Sequence, residues 1–205
     1  MKLFLLILSM SCLIMSNSNA EDKSMYVGLK YSQINLDRST IDGYDLDNFA
    51  PTDFNFYDVH VGYNIHSKIF VELGYVKSDK ETKSGTQTVN SISITGTNVA
   101  QEFDGYRFGV GYKYKMNENF LIKGFSNLYV IDVTTSGSLV ASSGSATATA
   151  TLSGTNSETW IDAGLGLAYV VDKIEFGLSY SRAVGQMDQV DSANVISANI
   201  SYKIN

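Results

Sequence analysis

The chain has 205 residues, with 17 glycines, 13 tyrosines and 10 phenylalanines against a single proline, and a formal charge of −6. That length suits one domain, and the acidic balance with no basic patch excludes nucleic acid as a partner. After residue 20 no apolar run approaches the ~18 residues a membrane-spanning helix needs, so any crossing must use strands, in which only alternate residues are apolar.

The first 20 residues read as a secretory signal. Lys2 supplies the positive end, and 3–15 is an apolar segment too short to span a bilayer as a helix. Ser18-Asn19-Ala20 places small residues at −3 and −1, which predicts cleavage after Ala20. Residues 21–205 then form the working domain. Cys12 is the only cysteine and falls in the leader, where Ser9-Met10-Ser11 make a poor lipoprotein box. The mature chain therefore has no disulfide, thiol nucleophile or cysteine-based metal site.

A first strand is predicted over 25–34, with Met25, Val27, Leu29 and Tyr31 on one face and Gly28, Lys30 and Ser32 on the other. A polar stretch follows, carrying Asp37, Asp42, Asp45, Asp47 and Asp53. Strands over 56–65 and 68–77 are joined by His66-Ser67, which makes a hairpin. Residues 78–102 form a polar connection whose middle alternates weakly and extends the flanking strands. The most regular stretch is 106–114. Tyr106, Phe108, Val110, Tyr112 and Tyr114 alternate with Arg107, Gly109, Gly111 and Lys113.

Strand five, 120–133, has ambiguous facing, because Phe125 and Tyr129 fall on the side of Lys123 and Asn127. Residues 134–157 are almost entirely Ser, Thr, Ala and Gly, and read as a mobile loop. Strands over 159–171 and 174–181 are joined by Asp172-Lys173. A moderate loop over 182–192 leads to the last strand, 194–204.

Eight strands result, with connections alternating long and short. Their polar face, rich in glycine with a few charges, fits a narrow lumen; their greasy face fits lipid. The reading is an all-β, eight-stranded antiparallel up-and-down transmembrane β-barrel in a bacterial outer membrane, with both termini on the periplasmic side. Outward-facing aromatics then sort into two girdles: Tyr31, Tyr57, Tyr75, Tyr106 and Tyr180 at the outer ends, and Tyr63, Tyr112, Tyr114, Phe120, Tyr169 and Tyr202 at the inner ends.

The strands Val71-Glu72-Leu73-Gly74-Tyr75, Gly109-Val110-Gly111-Tyr112 and Gly164-Leu165-Gly166-Leu167, with the amphipathic last strand, resemble the eight-stranded outer-membrane barrels of the OmpA/OmpX type and their opacity-protein and Ail-like relatives. The resemblance runs over nearly the whole mature chain and implies roles in adhesion, host-surface binding, serum-factor evasion or envelope integrity. The larger members carry a peptidoglycan-binding domain after the barrel, which the end at Asn205 does not suggest. The family usually ends on an aromatic residue, whereas here Tyr202 stands three residues before the end.

By the alternation, Lys30, Asp58, His60, Glu72, Arg107, Lys113, Asp162, Glu175 and Lys203 all project inward. An eight-stranded barrel is just wide enough for side chains, and buried charges must pair. An internal ionic network closing the lumen is the expectation, with a narrow ion path as its rival. His60 points inward and His66 lies in a turn, neither placed for catalysis, so the expectation is no enzyme. Asp42, Asp45 and Asp47 lack the EF-hand spacing, and no metal or cofactor is expected. Trp160 reads as packing at the outer rim. The expected partners are outer-membrane lipid and an external ligand at the loops of a monomer. Two readings from other classes remain: a barrel enzyme acting on lipid A or phospholipid, and a soluble lipocalin-like barrel with its apolar face turned inward around a ligand.

Overall fold

A computed structural model describes residues 23–183 and 190–204. The leader, its cleavage site and most of the loop predicted over 182–192 lie outside the described residues. The elements are β1 (Ser24–Arg38), β2 (Thr40–Ile41), β3 (Tyr44–Asp45), a 3-10 turn (Leu46–Asn48), β4 (Asp53–Asn64), β5 (Ile69–Ser78), β6 (Glu81–Val89), β7 (Ile92–Lys115), β8 (Phe120–Ser143), β9 (Ala146–Val171), β10 (Ile174–Ala183) and β11 (Val190–Lys203).

Eight of these strands close a ring. Its order is β1-β11-β10-β9-β8-β7-β5-β4, and β4 returns to β1 in antiparallel register, Leu29 opposite Val59. Closure leaves no open edge around the ring, the condition for strands to cross hydrocarbon. The alternation decides the facing. Leu165 and Leu178 point outward and are 68% and 67% exposed, while Asp162 and Arg107 point inward at 0% and 1%. An exposed apolar belt around a polar interior is a transmembrane barrel. It rules out the inverted, lipocalin-like arrangement.

The lumen is narrow enough that large inward side chains need glycine opposite them. Tyr26 on β1 lies over Gly62 on β4, its register partner, and a Cβ at Gly62 would overlap the ring. Phe70 on β5 lies in the same way over Gly111 on β7.

The largest departure from the sequence reading is at the end away from the termini. Residues 134–157 are not a loop. They continue β8 and β9 as a hairpin paired without interruption to Ser143 opposite Ala146. The composition suggested disorder because it cannot build a core, but this extension needs none. The membrane strands below set its register, and each further pair adds ladder hydrogen bonds and hydroxyl contacts such as Thr134 to Thr155 at 3.0 Å. The 78–102 connection likewise folds into β6 and the start of β7. They turn at Asn90-Ser91, both at positive φ as a tight hairpin turn requires. β6, β7, β8 and β9 thus form a four-stranded sheet standing beyond the barrel.

The first connection is also built rather than free. Asp45 caps the 3-10 turn by accepting from the Asp47 N–H, its own N–H donates to Gln87 on β6, and the Tyr44 hydroxyl donates to the Ile92 carbonyl. The acidic stretch is therefore pinned to the β6–β7 hairpin.

Candidate functional site

The barrel interior is organised about Arg107 on β7. Its Nε donates to Asp58 Oδ2 on β4 at 2.5 Å, and its Nη1 donates to Glu72 Oε2 on β5 at 2.8 Å and to Asn127 Oδ1 on β8 at 2.9 Å. Asp58 also meets His60 Nδ1 at 3.1 Å and lies 4.0 Å from Lys30 Nζ. Glu72 accepts from the Tyr26 hydroxyl. On the far side Asn127 Nδ2 donates to Asp162, which also accepts from the Ser181 hydroxyl. The chain of contacts crosses the lumen from β4 to β10. Each buried carboxylate has at least two partners, the condition under which burying charge is tolerated.

A second cluster sits nearer the termini. Glu175 on β10 pairs with Lys123 on β8 and lies 3.8 Å from Lys113 on β7. Lys113 lies 5.1 Å from the ring centres of Tyr26 and Phe70, a cation–π arrangement. Of the nine inward charges read from the sequence, eight fall into these two clusters. Lys203 does not join either; it is exposed at the inner mouth beside Lys113.

Toward the outside the lumen turns apolar. Ile34, Phe54, Phe56, Val76, Phe103 and Ile131 pack into a plug over the ionic layer. Phe54 meets Phe103 edge-on at 4.7 Å, and Trp160 stacks on Tyr129 at 4.9 Å. Trp160 is thus interior plug, not rim packing.

Above the plug is a cavity of about 180 Å³ bordered by Leu36, Arg38, Gln101, Glu158 and Trp160. Arg38 is 8% exposed; its guanidinium donates to the Pro51 carbonyl and to Gln101. Burial pushes that guanidinium below its usual pKa, opposed by Asp47.

Several participants were missed from sequence. Lys123 and Asn127 share the inward phase of β8, but Phe125 and Tyr129 on the same face obscured it. Tyr26 and Ser181 had the correct phase and no charge to draw notice. Arg38 had no recognisable signal, because its partners are a carbonyl and an amide.

The outer girdle is present as exposed tyrosines in cross-strand pairs, Tyr31 with Tyr57 and Tyr75 with Tyr106 at 5.6 and 5.8 Å. At the inner ends Phe120 meets Tyr169 at 4.8 Å, while Tyr63 is only half-exposed. His60 is enclosed by Asp58 and the Tyr26 ring, and His66 meets Ser67 at 3.1 Å. Among the described residues no group of three or more His, Cys, Asp or Glu could hold a metal ion. No helix among them is long and apolar enough to cross a membrane, which does not bear on a β-barrel.

The sequence matches the family described as Outer membrane protein beta-barrel domain over residues 4–203. Among solved structures, neisserial surface protein A is similar at 10% identity, over 90% of this chain and 100% of that one, with a TM-score of 0.56. Ail, the attachment invasion locus protein of Yersinia pestis, solved in complex with the heparin analogue sucrose octasulfate, is 17% identical over 89% of this chain and 98% of that one, with a TM-score of 0.47. The N-terminal β-barrel domain of Pseudomonas aeruginosa OprF is 9% identical over 87% and 97%, with a TM-score of 0.49. No curated protein sequence matches significantly.

Proposed function

The chain belongs to the outer-membrane protein β-barrel family, and from that premise we propose that it is a monomeric, non-enzymatic surface-interaction barrel whose working part is the sheet beyond the membrane. The carrying observation is the outer half of β9. β10 pairs with β9 only as far as Ala183 opposite Asp162, so no described strand lies beside residues 146–161 on that side. Natural proteins protect such edges with charges or proline; of residues 146–161 only Glu158 is charged and none is proline. An extended segment of a partner protein can add to this edge through main-chain hydrogen bonds. The barrel supplies the rigid base, and the plug and ionic network keep its lumen shut.

Replacing residues 137–152 by an Asn-Gly turn between Ser136 and Ser153, which are register partners, removes the outer part of the edge, residues 146–152, and leaves the membrane strands intact. The variant is expected to reach the outer membrane in normal amount and to lose attachment of the bacterium to host cells and extracellular matrix. Unchanged attachment would sink the reading. Dimers on native gels that vanish with the same excision would instead identify a second copy as the partner of the edge.

A further inference from the structure

The inner mouth carries a feature that the surface role does not use. Lys113 on β7 stands directly opposite Lys123 on β8 in the register. On the other side of β7, the Lys113 N–H donates to the Lys68 carbonyl at 2.7 Å, so Lys68 continues the row. Like charges directly opposed across strands are destabilising. One carboxylate, Glu175, serves both Lys113 and Lys123, and the side chain of Lys123 holds it more closely.

Beside this row opens a cavity of about 580 Å³, whose charged lining is Lys68, Lys113, Lys115 and Lys203. No carboxylate lines it among the described residues; Asp172 and Glu175 border a separate, smaller cavity next to it. Ser24, Asn64 and Ser67 add neutral hydrogen-bonding groups to the wall. The contrast with the rest of the molecule is sharp. The chain as a whole is acidic, and its first stretch at the other end, residues 37–53, carries Asp37, Asp42, Asp45, Asp47 and Asp53.

We propose that this vestibule is a binding site for a compact polyanion bearing phosphate or carboxylate groups. Four lysines line one concave, partly enclosed space; Glu175 lies near Lys113, but no carboxylate lines the space beside Lys68, Lys115 and Lys203, so a positive potential remains there. Lysine suits such a ligand as a mobile point charge rather than as a rigid fork, so the site selects on charge more than on shape. The volume lies in the range of ordinary small-ligand pockets. In an outer-membrane barrel the short turns face the periplasm, so the ligand arrives from that side, either as a soluble polyanion or as the headgroup of an anionic lipid in the inner leaflet.

The test is calorimetric titration of pyrophosphate into the full mature protein in nanodiscs of zwitterionic lipid. Saturable binding is expected, weakening steeply with salt. Lys68→Gln with Lys115→Gln, both exposed at the rim, is expected to lower affinity at least tenfold; Lys80→Gln with Lys83→Gln at the opposite end leaves it unchanged. A boiling-dependent gel shift confirms that each variant is folded. Loss of pyrophosphate binding when phosphatidylglycerol is included makes a lipid headgroup the occupant, and undiminished binding makes it a soluble polyanion; either supports the site. Absence of saturable binding, or an equal loss in the two double variants, overturns it.

Discussion

Arg107 and Asp58 sit on strands that are not neighbours, β7 and β4, and join across the lumen through a 2.5 Å hydrogen bond from Nε to Oδ2. With Glu72 and Asn127 on the same guanidinium, this one side chain ties three other strands together. Arg107→Ala strands two buried carboxylates, and breaking a buried pair costs about 3–5 kcal/mol. Urea unfolding of the variant in lipid vesicles, read by gel mobility, is expected to show that loss. Arg107→Lys should recover only part of it, because an ammonium cannot serve Asp58, Glu72 and Asn127 in one plane. Wild-type stability in Arg107→Ala would mean that the network is not what closes the interior.

The lumen is expected to be electrically silent, because two independent layers block it. Below lies the ionic network, and above it Phe54, Phe103 and Ile131 pack into an apolar plug. Planar-bilayer recordings should therefore show no openings in wild type, and none in Arg107→Ala. Conductance should need the plug opened as well, as in Arg107→Ala combined with Trp160→Ala and Phe103→Ala. Regular openings in the wild-type protein would reverse this and make the interior a gated path.

The pairing of Tyr26 with Gly62 gives a test of how tightly the lumen is packed. Gly62→Val places atoms where the Tyr26 ring lies, and overpacking of this kind costs about 1–3 kcal/mol. Tyr26→Ala in the same chain is expected to restore part of the loss by removing the ring. The pair should be non-additive in a double-mutant cycle, since the residues are in contact. Strict additivity would mean that the tyrosine lies elsewhere in the membrane.

These cases show what was legible in the sequence. Period two specified the barrel strands and the inward phase of Arg107, Asp58 and Glu72, because a one-residue slip would send every apolar side chain into the lumen. It could not say which inward groups touch, because contact across the lumen depends on stagger between distant strands. His60 with Asp58 was within reach of the pattern; Arg107 with Asp58, on β7 and β4, was not. The β8–β9 extension was misread for a different reason. Composition reports whether a segment can bury a core, while Thr134 and Thr155 are ordered by strands already fixed beneath them. Lys203 opposes the inward Tyr26 in the register but joins neither ionic cluster, because it lies at the end of the last strand, where the lumen has already opened to water.

The facing of the barrel predicts opposite outcomes for one substitution at two heights of β9. Leu165 lies between the aromatic residues near the two ends of the span, Trp160 and Tyr169, and points outward. Arginine there must enter hydrocarbon, at a cost of about 2–4 kcal/mol near the bilayer midplane. Thr149 is on the same strand but in the solvated hairpin, exposed on the sheet beyond the membrane. Thr149→Arg should leave stability within ~0.5 kcal/mol of wild type, as ordinary surface changes do. Equilibrium unfolding of both variants in vesicles, side by side, is the measurement. Equal, small effects would place Leu165 in water rather than lipid; a large effect at Thr149 would mean that the hairpin is packed against something, which is where the search for its partner should then begin.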